Sequence, residues 1–376
     1  MSDFGHRLST SMSLKHILQD RRLAEPLLQE IEKTAAEISR TVRIMEVCGT
    51  HTVAIRGSGI HSLLPENVLM ISGPGCPVCV TPTSYIDNAL QLLETSDTTV
   101  VSLGDMLKVP GSDGRNLAGY MGGGRVRIVY SPAELLSIAE GTSGSVVFLA
   151  IGFETTIPTV AAAFLQARRA GLSNLYLYTA FKTIPPALRA LLSSPDRQLD
   201  GFLLPGHVSV IIGVQPYRFL EEPGGVPGVI AGFEPLDLLQ GILAVLRQTG
   251  RGEQRVENTY TRAVRAQGNP KAREIMNQVL EPADALWRGF GEIQASGLVL
   301  KGNYREADAA LHFSLPPLYN LEPPGCACAQ VLQGRLPPTE CPLFGSSCTP
   351  EAPIGPCMVS SEGTCAASFR YGEAVL

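Results

Sequence analysis

Cysteine is where this sequence concentrates its chemistry. Cys76 and Cys79 stand three apart in "ISGPGCPVCVTP" (71–82), and Cys48 precedes them in "VCGTHT". Six more, Cys326, Cys328, Cys341, Cys348, Cys357 and Cys365, crowd the tail, with none from residue 80 to residue 325. A C-x2-C pair can be half of a zinc site, a redox dithiol, two ligands of an iron-sulfur cluster, or two unrelated buried thiols, and its company discriminates among these. In the tail the gaps between successive cysteines are one, twelve, six, eight and seven residues. Structural zinc usually takes tight C-x2-C knuckles, so this spacing disfavours it. Dense cysteines in a stretch with few periodic apolar residues suit an iron-sulfur module, where four thiolates hold one 4Fe-4S cluster and two are left over. Composition alone does not say which four.

The bulk properties narrow the setting. A length of 376 residues exceeds what one hydrophobic core supports, so two or three domains are expected. The formal charge is −5 with no lysine or arginine block, which argues against a nucleic-acid footprint. No apolar run approaches the length of a membrane helix, and the first thirty residues alternate charges with short apolar stretches. A cytoplasmic protein is expected, in a reducing compartment where nine cysteines bind metal or perform redox chemistry more readily than they staple a fold. No G-x4-G-K-[ST] phosphate loop occurs.

Positioning these thiols falls to parallel βα units. "TVRIMEV", "NVLMIS", "TTVVSL" and "RVRIVY" read as strands, and "GSVVFLAI", "NLYLYTA", "DGFLLP" and "PGVIAGF" repeat the pattern. A shift of 103 residues brings Gly49 onto Gly152, Thr52 onto Thr155, Pro82 onto Pro185 and "YSPAELL" onto "FEPLDLL". This reads as an internal duplication, giving an α/β fold of two similar tandem domains with mainly parallel sheets, at 41–143 and 144–250. Residues 1–40, with an apolar stripe through Leu14, Ile17, Leu18, Leu23, Leu27, Leu28 and Ile31, join 251–376 as a third domain, helical over 255–315 and loop-rich after Pro316. Ligands of parallel sheets bind beyond the carboxyl ends of the strands. The loops carrying Cys48, then Cys76 and Cys79, then Gly104 and Asp105 should converge there. Opposite them, "IGFETT", "TAFKTIP" and "LLPGHVS" place Ile151, Thr179 and Lys182 where the first copy has its cysteines, with Glu154, Lys182 and His207 as supporting groups across a cleft.

From about residue 40 to the C-terminus, "EVCGTHT", "GPGCPVCVTP", "GFETT", "PGHVS" and "ECPLFGSSCTPEAPIGPCMVSSEGTCAA" resemble the HypD family, iron-sulfur proteins that help to build the active site of nickel-iron hydrogenases. The resemblance implies a scaffold on which one iron receives two cyanides and one carbon monoxide, in complex with the small partner HypC and in contact with HypE, which carries cyanide as a thiocyanate on its C-terminal cysteine. It implies two similar α/β domains and a third holding a 4Fe-4S cluster. The family pattern C-x14-C-x6-C-x16-C falls on Cys326, Cys341, Cys348 and Cys365 as cluster ligands and leaves Cys328 and Cys357 as a redox pair. Cys48 takes the place of the iron-site cysteine, with His51 beside it, and Cys76 and Cys79 that of the dithiol.

The residue types suit such chemistry. Low-spin iron with cyanide and carbonyl ligands wants soft thiolates. Cys48, at a strand end and a helix start, gains from the helix dipole, and His51 can accept its proton or orient a ligand; the alternative for His51 is a helix-start histidine bonded to backbone. Cys76 and Cys79 read best as a redox dithiol facing iron at Cys48, wired to the cluster through the second thiol pair. Asp105, Glu154 and Glu362 are weaker candidates for acid-base or anchoring roles. Two competing classes share these cysteines: a thiol-disulfide oxidoreductase that assembles no iron, and a zinc protein used for docking.

Overall fold

The computed structural model describes residues 20–95 and 97–372; Leu14, Ile17 and Leu18 lie outside them. The rest of the first apolar stripe lies in α1 (Arg21–Ala36), where Ile31 is fully buried and Asp20 caps the start by accepting the N–H of Arg22 at 2.9 Å.

All eight strands read from the sequence form: β1 (Val42–Glu46), β2 (Val68–Ser72), β3 (Thr98–Leu103), β4 (Val126–Val129), β5 (Ser145–Gly152), β6 (Leu175–Lys182), β7 (Gly201–Pro205) and β8 (Gly228–Ala231). The main helices that follow them are α2 (Gly49–Gly57), α3 (Thr83–Thr95), α4 (Ile157–Arg169), α5 (Ile184–Leu192), α6 (Gly206–Ile212) and α7 (Pro235–Arg251). Helices on both faces explain the unbroken apolar runs: seven of the eight residues of β5 are buried. α7 packs on β7, β8 and α1, while α4 lies against β5 and β6.

The strands form two mainly parallel sheets. One has the order β2-β1-β7-β8-β9, with β9 at Val256–Asn258. In the other, ordered β10-β11-β6-β5-β3-β4, the hairpin of β10 (Leu280–Trp287) and β11 (Gly291–Leu300) adds antiparallel to β6. The shift of 103 residues carries β1 onto β5, β3 onto β7 and β4 onto β8, and sets β2 just ahead of β6. In that correspondence both sheets have the same strand order, but each is assembled from half of each copy. β1 and β2 of the first copy join β7 and β8 of the second, while β5 and β6 of the second join β3 and β4 of the first.

The boundary at 143/144 therefore does not separate the sheets. Nor is 251–376 a body apart, since β9 closes an edge of one sheet and the β10–β11 hairpin an edge of the other. Local periodicity specifies which residues are extended, whereas partner choice among parallel strands is made by long-range pairing. Helix over 255–315 also fails for the most part: α8 (Pro270–Val279) forms, but "LEPADALW" and "GEIQASGLVL" are strands. Their alanine, glutamate and leucine favour helix, and antiparallel pairing with each other, extended by β11 onto the edge of β6, overrides that weak preference. The tail matches its loop-rich reading, with the short helices α9 (Cys328–Leu332), α10 (Pro356–Val359) and α11 (Thr364–Tyr371). Among the described residues no helix is long and apolar enough to cross a membrane.

Residues 41–143 alone carry the pairs β1–β2 and β3–β4, which lie in different sheets, without β7 and β5, the second neighbours of β1 and β3. This fragment should show no cooperative thermal transition by circular dichroism, and a cooperative melt would contradict the exchange of halves.

Candidate functional site

Cys48 is the residue before α2, in an extended conformation with φ −149° and ψ 124°. Backbone N–H groups of His51 and Thr50 favour its thiolate, as the helix dipole predicts, but burial is the larger effect and, with the Glu362 carboxylate nearby, pushes the thiol up to about 11. The side chain is a neutral thiol at pH 7 unless a cation joins it.

Two glycines let the surrounding loops close. A Cβ on Gly75 would lie 2.5 Å from the backbone N and Cα of Cys48, and one on Gly49 would lie 2.5 Å from the carbonyl O of Glu362. Gly49 N–H donates to the carbonyl of Gly75 at 3.0 Å, locking the two loops together. Above them opens a cleft of about 390 Å³ lined by Cys48 and Thr50 after β1, Pro77 after β2, Thr155 after β5, His207 after β7, and Glu362 of the tail. Loops from both sheets meet there.

The supporting groups take distinct places. His51 is fully buried, with Nε2 3.0 Å from the carbonyl of Gly232 and its ring on Phe233, and burial brings its pKa down to about 4. The ring is committed to that loop rather than to Cys48, and Nδ1 has no hydrogen-bond partner. His207 stacks on Phe233 at 3.8 Å. Glu154, pushed up to about 7 by burial, accepts the N–H of Ile184 at the start of α5 at 3.0 Å. Asp105 accepts from Ser360 Oγ at 3.0 Å and Glu362 from Thr50 Oγ1 at 2.7 Å, so these two carboxylates tie one tail segment to the loops after β3 and β1. Lys182 is 2% exposed, its Nζ 5.9 Å from the ring centre of Trp287, and has no ion pair among the described residues. Burial brings its pKa down to about 7.

The remaining thiols form a line. Cys79 N–H points at Cys76 Sγ at 3.3 Å, and the fully buried Cys79 thiol meets both Cys76 and Cys357 and lies 3.8 Å from the carbonyl of Pro356. Burial raises its pKa well above the usual thiol value. Cys357 and Cys328 sulfurs are 2.8 Å apart; beyond them Cys326 adjoins Cys328, and Cys365 adjoins Cys357. Cys348 lies near Cys326 and Cys365, and burial pushes its thiol up. The dithiol thus turns toward the tail thiols, while Gly75 and Pro77 of the same loop face the Cys48 cleft.

Among the described residues no three or more His, Cys, Asp or Glu side chains gather as a site for a single metal ion. The four tail thiols fit an iron-sulfur cluster by donor type. Two of them already accept backbone N–H groups, Cys341 from Ala327 at 3.5 Å and Cys348 from Ile354 at 3.3 Å, and the bare Cα of Gly355 leaves room beside Cys326. Sequence reading missed Arg288, 1% exposed at the turn between β10 and β11 and bonded to the residues just after Cys79. Its only marker was its place after Trp287, the one tryptophan in the chain.

The two sheets and the thiol line define a thiol-rich α/β protein with its site between strand ends and a cysteine-bearing tail. The family described as "HypD: Hydrogenase formation hypA family" matches residues 22–372. Hydrogenase maturation factor HypD2 of Bradyrhizobium diazoefficiens is 44% identical over 94% of this chain and 96% of its own length. Hydrogenase maturation factor HypD of Rhodobacter capsulatus is 43% identical over 95% and 97%, and that of Escherichia coli 43% over 92% and 95%. The chain belongs to the HypD family of hydrogenase maturation factors.

Gly75→Ala should lower stability by about 1–3 kcal/mol, the usual cost of forcing atoms into a packed site, measured as a shift in denaturant midpoint. Lys182 gives a pH signature. Between about 7 and 10.5 the unfolded chain binds more protons than the folded one, so burial of Lys182 costs most below pH 7 and the cost fades as pH rises. Lys182→Met should stabilise by on the order of a few kcal/mol at about pH 6 and by little at about pH 10. A gain that does not change with pH would assign the effect to packing.

Proposed function

We propose that this chain is the scaffold on which an iron, as cargo, receives two cyanides and one carbon monoxide for a nickel-iron hydrogenase. Cys48 ligates the iron from its cleft, a HypC-type small chaperone shares it, and a HypE-type donor brings cyanide as a thiocyanate, all in the reducing cytoplasm. The observation that carries this reading is that a single loop, Gly75 to Cys79, forms a wall of the Cys48 cleft at one end and touches the tail thiols at the other.

Releasing cyanide from a thiocyanate consumes two electrons: R–S–C≡N becomes R–S⁻ and CN⁻. A dithiol that closes to a disulfide supplies them. A thiolate of the Cys76/Cys79 pair attacks the thiocyanate sulfur and expels cyanide, and the second thiol resolves the mixed disulfide and frees the carrier as its thiol. Cys328 and Cys357 can then return the pair to its reduced form by exchange, since Cys357 meets Cys79. Cys326, Cys341, Cys348 and Cys365 would hold a 4Fe-4S cluster, which supplies one-electron chemistry when bound.

Protein purified with its small partner should show cyanide and carbonyl stretches in the infrared. Cys48→Ser should abolish them while leaving the tail's iron-sulfur absorbance in place. Absence of those bands from active wild-type complex would favour a plain thiol-disulfide oxidoreductase. Anaerobic protein should be brown, with about four irons per chain from the cluster alone; one zinc without sulfide would overturn the cluster assignment.

A further inference from the structure

We infer that Arg288 is a positioning residue for thiol exchange between the front dithiol and the tail pair. It clamps the loop that carries Cys79 at the distance from which Cys357 can reach it. This rests on the redox reading of the four thiols proposed above.

Arg288 is buried and its donors converge on the residues directly after Cys79. Its backbone N–H donates to Val80 O at 2.9 Å, Nε to Thr81 O at 3.2 Å, and an Nη to Thr83 Oγ1 at 2.5 Å. The Thr83 hydroxyl donates in turn to Leu321 O at 2.8 Å, and Glu322 lies 3.6 Å from the guanidinium. The next residue faces the tail. Gly289 has φ +83°, and a Cβ there would lie 3.0 Å from Ala329 Cα, one residue past Cys328; its carbonyl accepts from Gln333. One tight turn thus touches the end of the dithiol loop on one side and the helix bearing Cys328 on the other. A buried guanidinium carries a large desolvation cost, which its two hydrogen bonds to this loop and the Glu322 carboxylate offset.

The step it serves is internally balanced. The Cys357 thiolate attacks Cys79 of a Cys76–Cys79 disulfide, so the Cys79–Cys357 bond forms, the Cys76–Cys79 bond breaks and Cys76 leaves as thiolate. Cys328 thiolate then attacks Cys357, forming Cys328–Cys357 and releasing Cys79 thiolate. Two electrons pass from tail pair to front pair, and the tail's two protons follow them. Misplacing a reacting atom by about 1 Å can cost 100-fold in rate, so the anchor of the loop governs the first step.

The test uses the full chain, oxidised anaerobically with one equivalent of diamide, acid-quenched over time and mapped by peptide mass spectrometry. Cys328→Ser should accumulate the Cys79–Cys357 mixed disulfide; if it does not, the exchange reading itself fails. In that same background, Thr83→Val should slow formation of the mixed disulfide tenfold or more, and Thr83→Ser should restore it. Arg288→Lys, which keeps the charge but not the fork of donors, should resemble Thr83→Val. Wild-type rates in both Thr83→Val and Arg288→Lys, with the mixed disulfide still forming, would overturn the role of Arg288. A merely structural role predicts lower melting temperatures with unchanged exchange rates in the molecules that remain folded.

Discussion

The site depends on backbone meeting backbone at Cys48. Gly75 packs against the N and Cα of Cys48, and Gly49 against the carbonyl of Glu362, so three segments distant in sequence close on one thiol with no side chain between them. That contact leaves the C-x2-C loop one orientation. Its Gly75 and Pro77 face the cleft, and the turn that follows carries Cys79 into the tail, where Cys357 waits. Thr50 and Glu362 close the same seam with a 2.7 Å hydrogen bond, and Asp105 holds Ser360 two residues before Glu362.

The exchange of halves between the sheets brings these segments within reach. β1 lies beside β7, so the Cys48 loop and the His207 loop emerge from neighbouring strands although 158 residues lie between those two side chains. β5 sits in the opposing sheet and sends its Thr155 loop to the same cleft. An uncrossed tandem pair would put all three thiol-bearing and carboxylate loops of the first copy on one sheet. Here the Asp105 loop follows β3 in the second sheet and meets the tail from the other side. Neither sheet is complete without both copies, so the cleft walls are covalently and cooperatively tied to each other.

How far the sequence foretold this differs by level. The eight strands were legible because β-branched runs between glycine and proline turns carry a local signal. The duplication was legible because it is a matter of spacing. Which strand pairs with which was not, because parallel neighbours are chosen at long range and the two copies offer nearly equivalent edges. The β10–β11 hairpin reads as helix because its residues favour helix, and their strand state comes from pairing with each other and, through β11, with the edge of β6. At the site, Cys48, Cys76 and Cys79 announced themselves by residue type, as did the tail cysteines. His51 was visible as a motif residue, but its hydrogen bond to Gly232, 181 residues away, was not. Arg288 left no trace beyond its place after Trp287, since an arginine at a hairpin tip ordinarily faces solvent.

Electrostatics then gives the site its resting state. Burial holds Cys48 and Cys79 as neutral thiols, and Glu362 beside Cys48 raises the cost of a thiolate further. A carboxylate next to a buried thiol is unfavourable for a free anion but favourable for a cation that both can meet. Binding of a metal cation at Cys48 would therefore release the thiol proton and find a second negative group already in place, held by Thr50. The N-terminus of α2 has the opposite effect, favouring the thiolate once formed, but is outweighed by burial while the cleft is unliganded. On the proposed reading the same feature that keeps Cys48 inert at rest thus couples its ionisation to arrival of the iron, and burial likewise disfavours the thiolate of Cys79 in the loop behind Gly75.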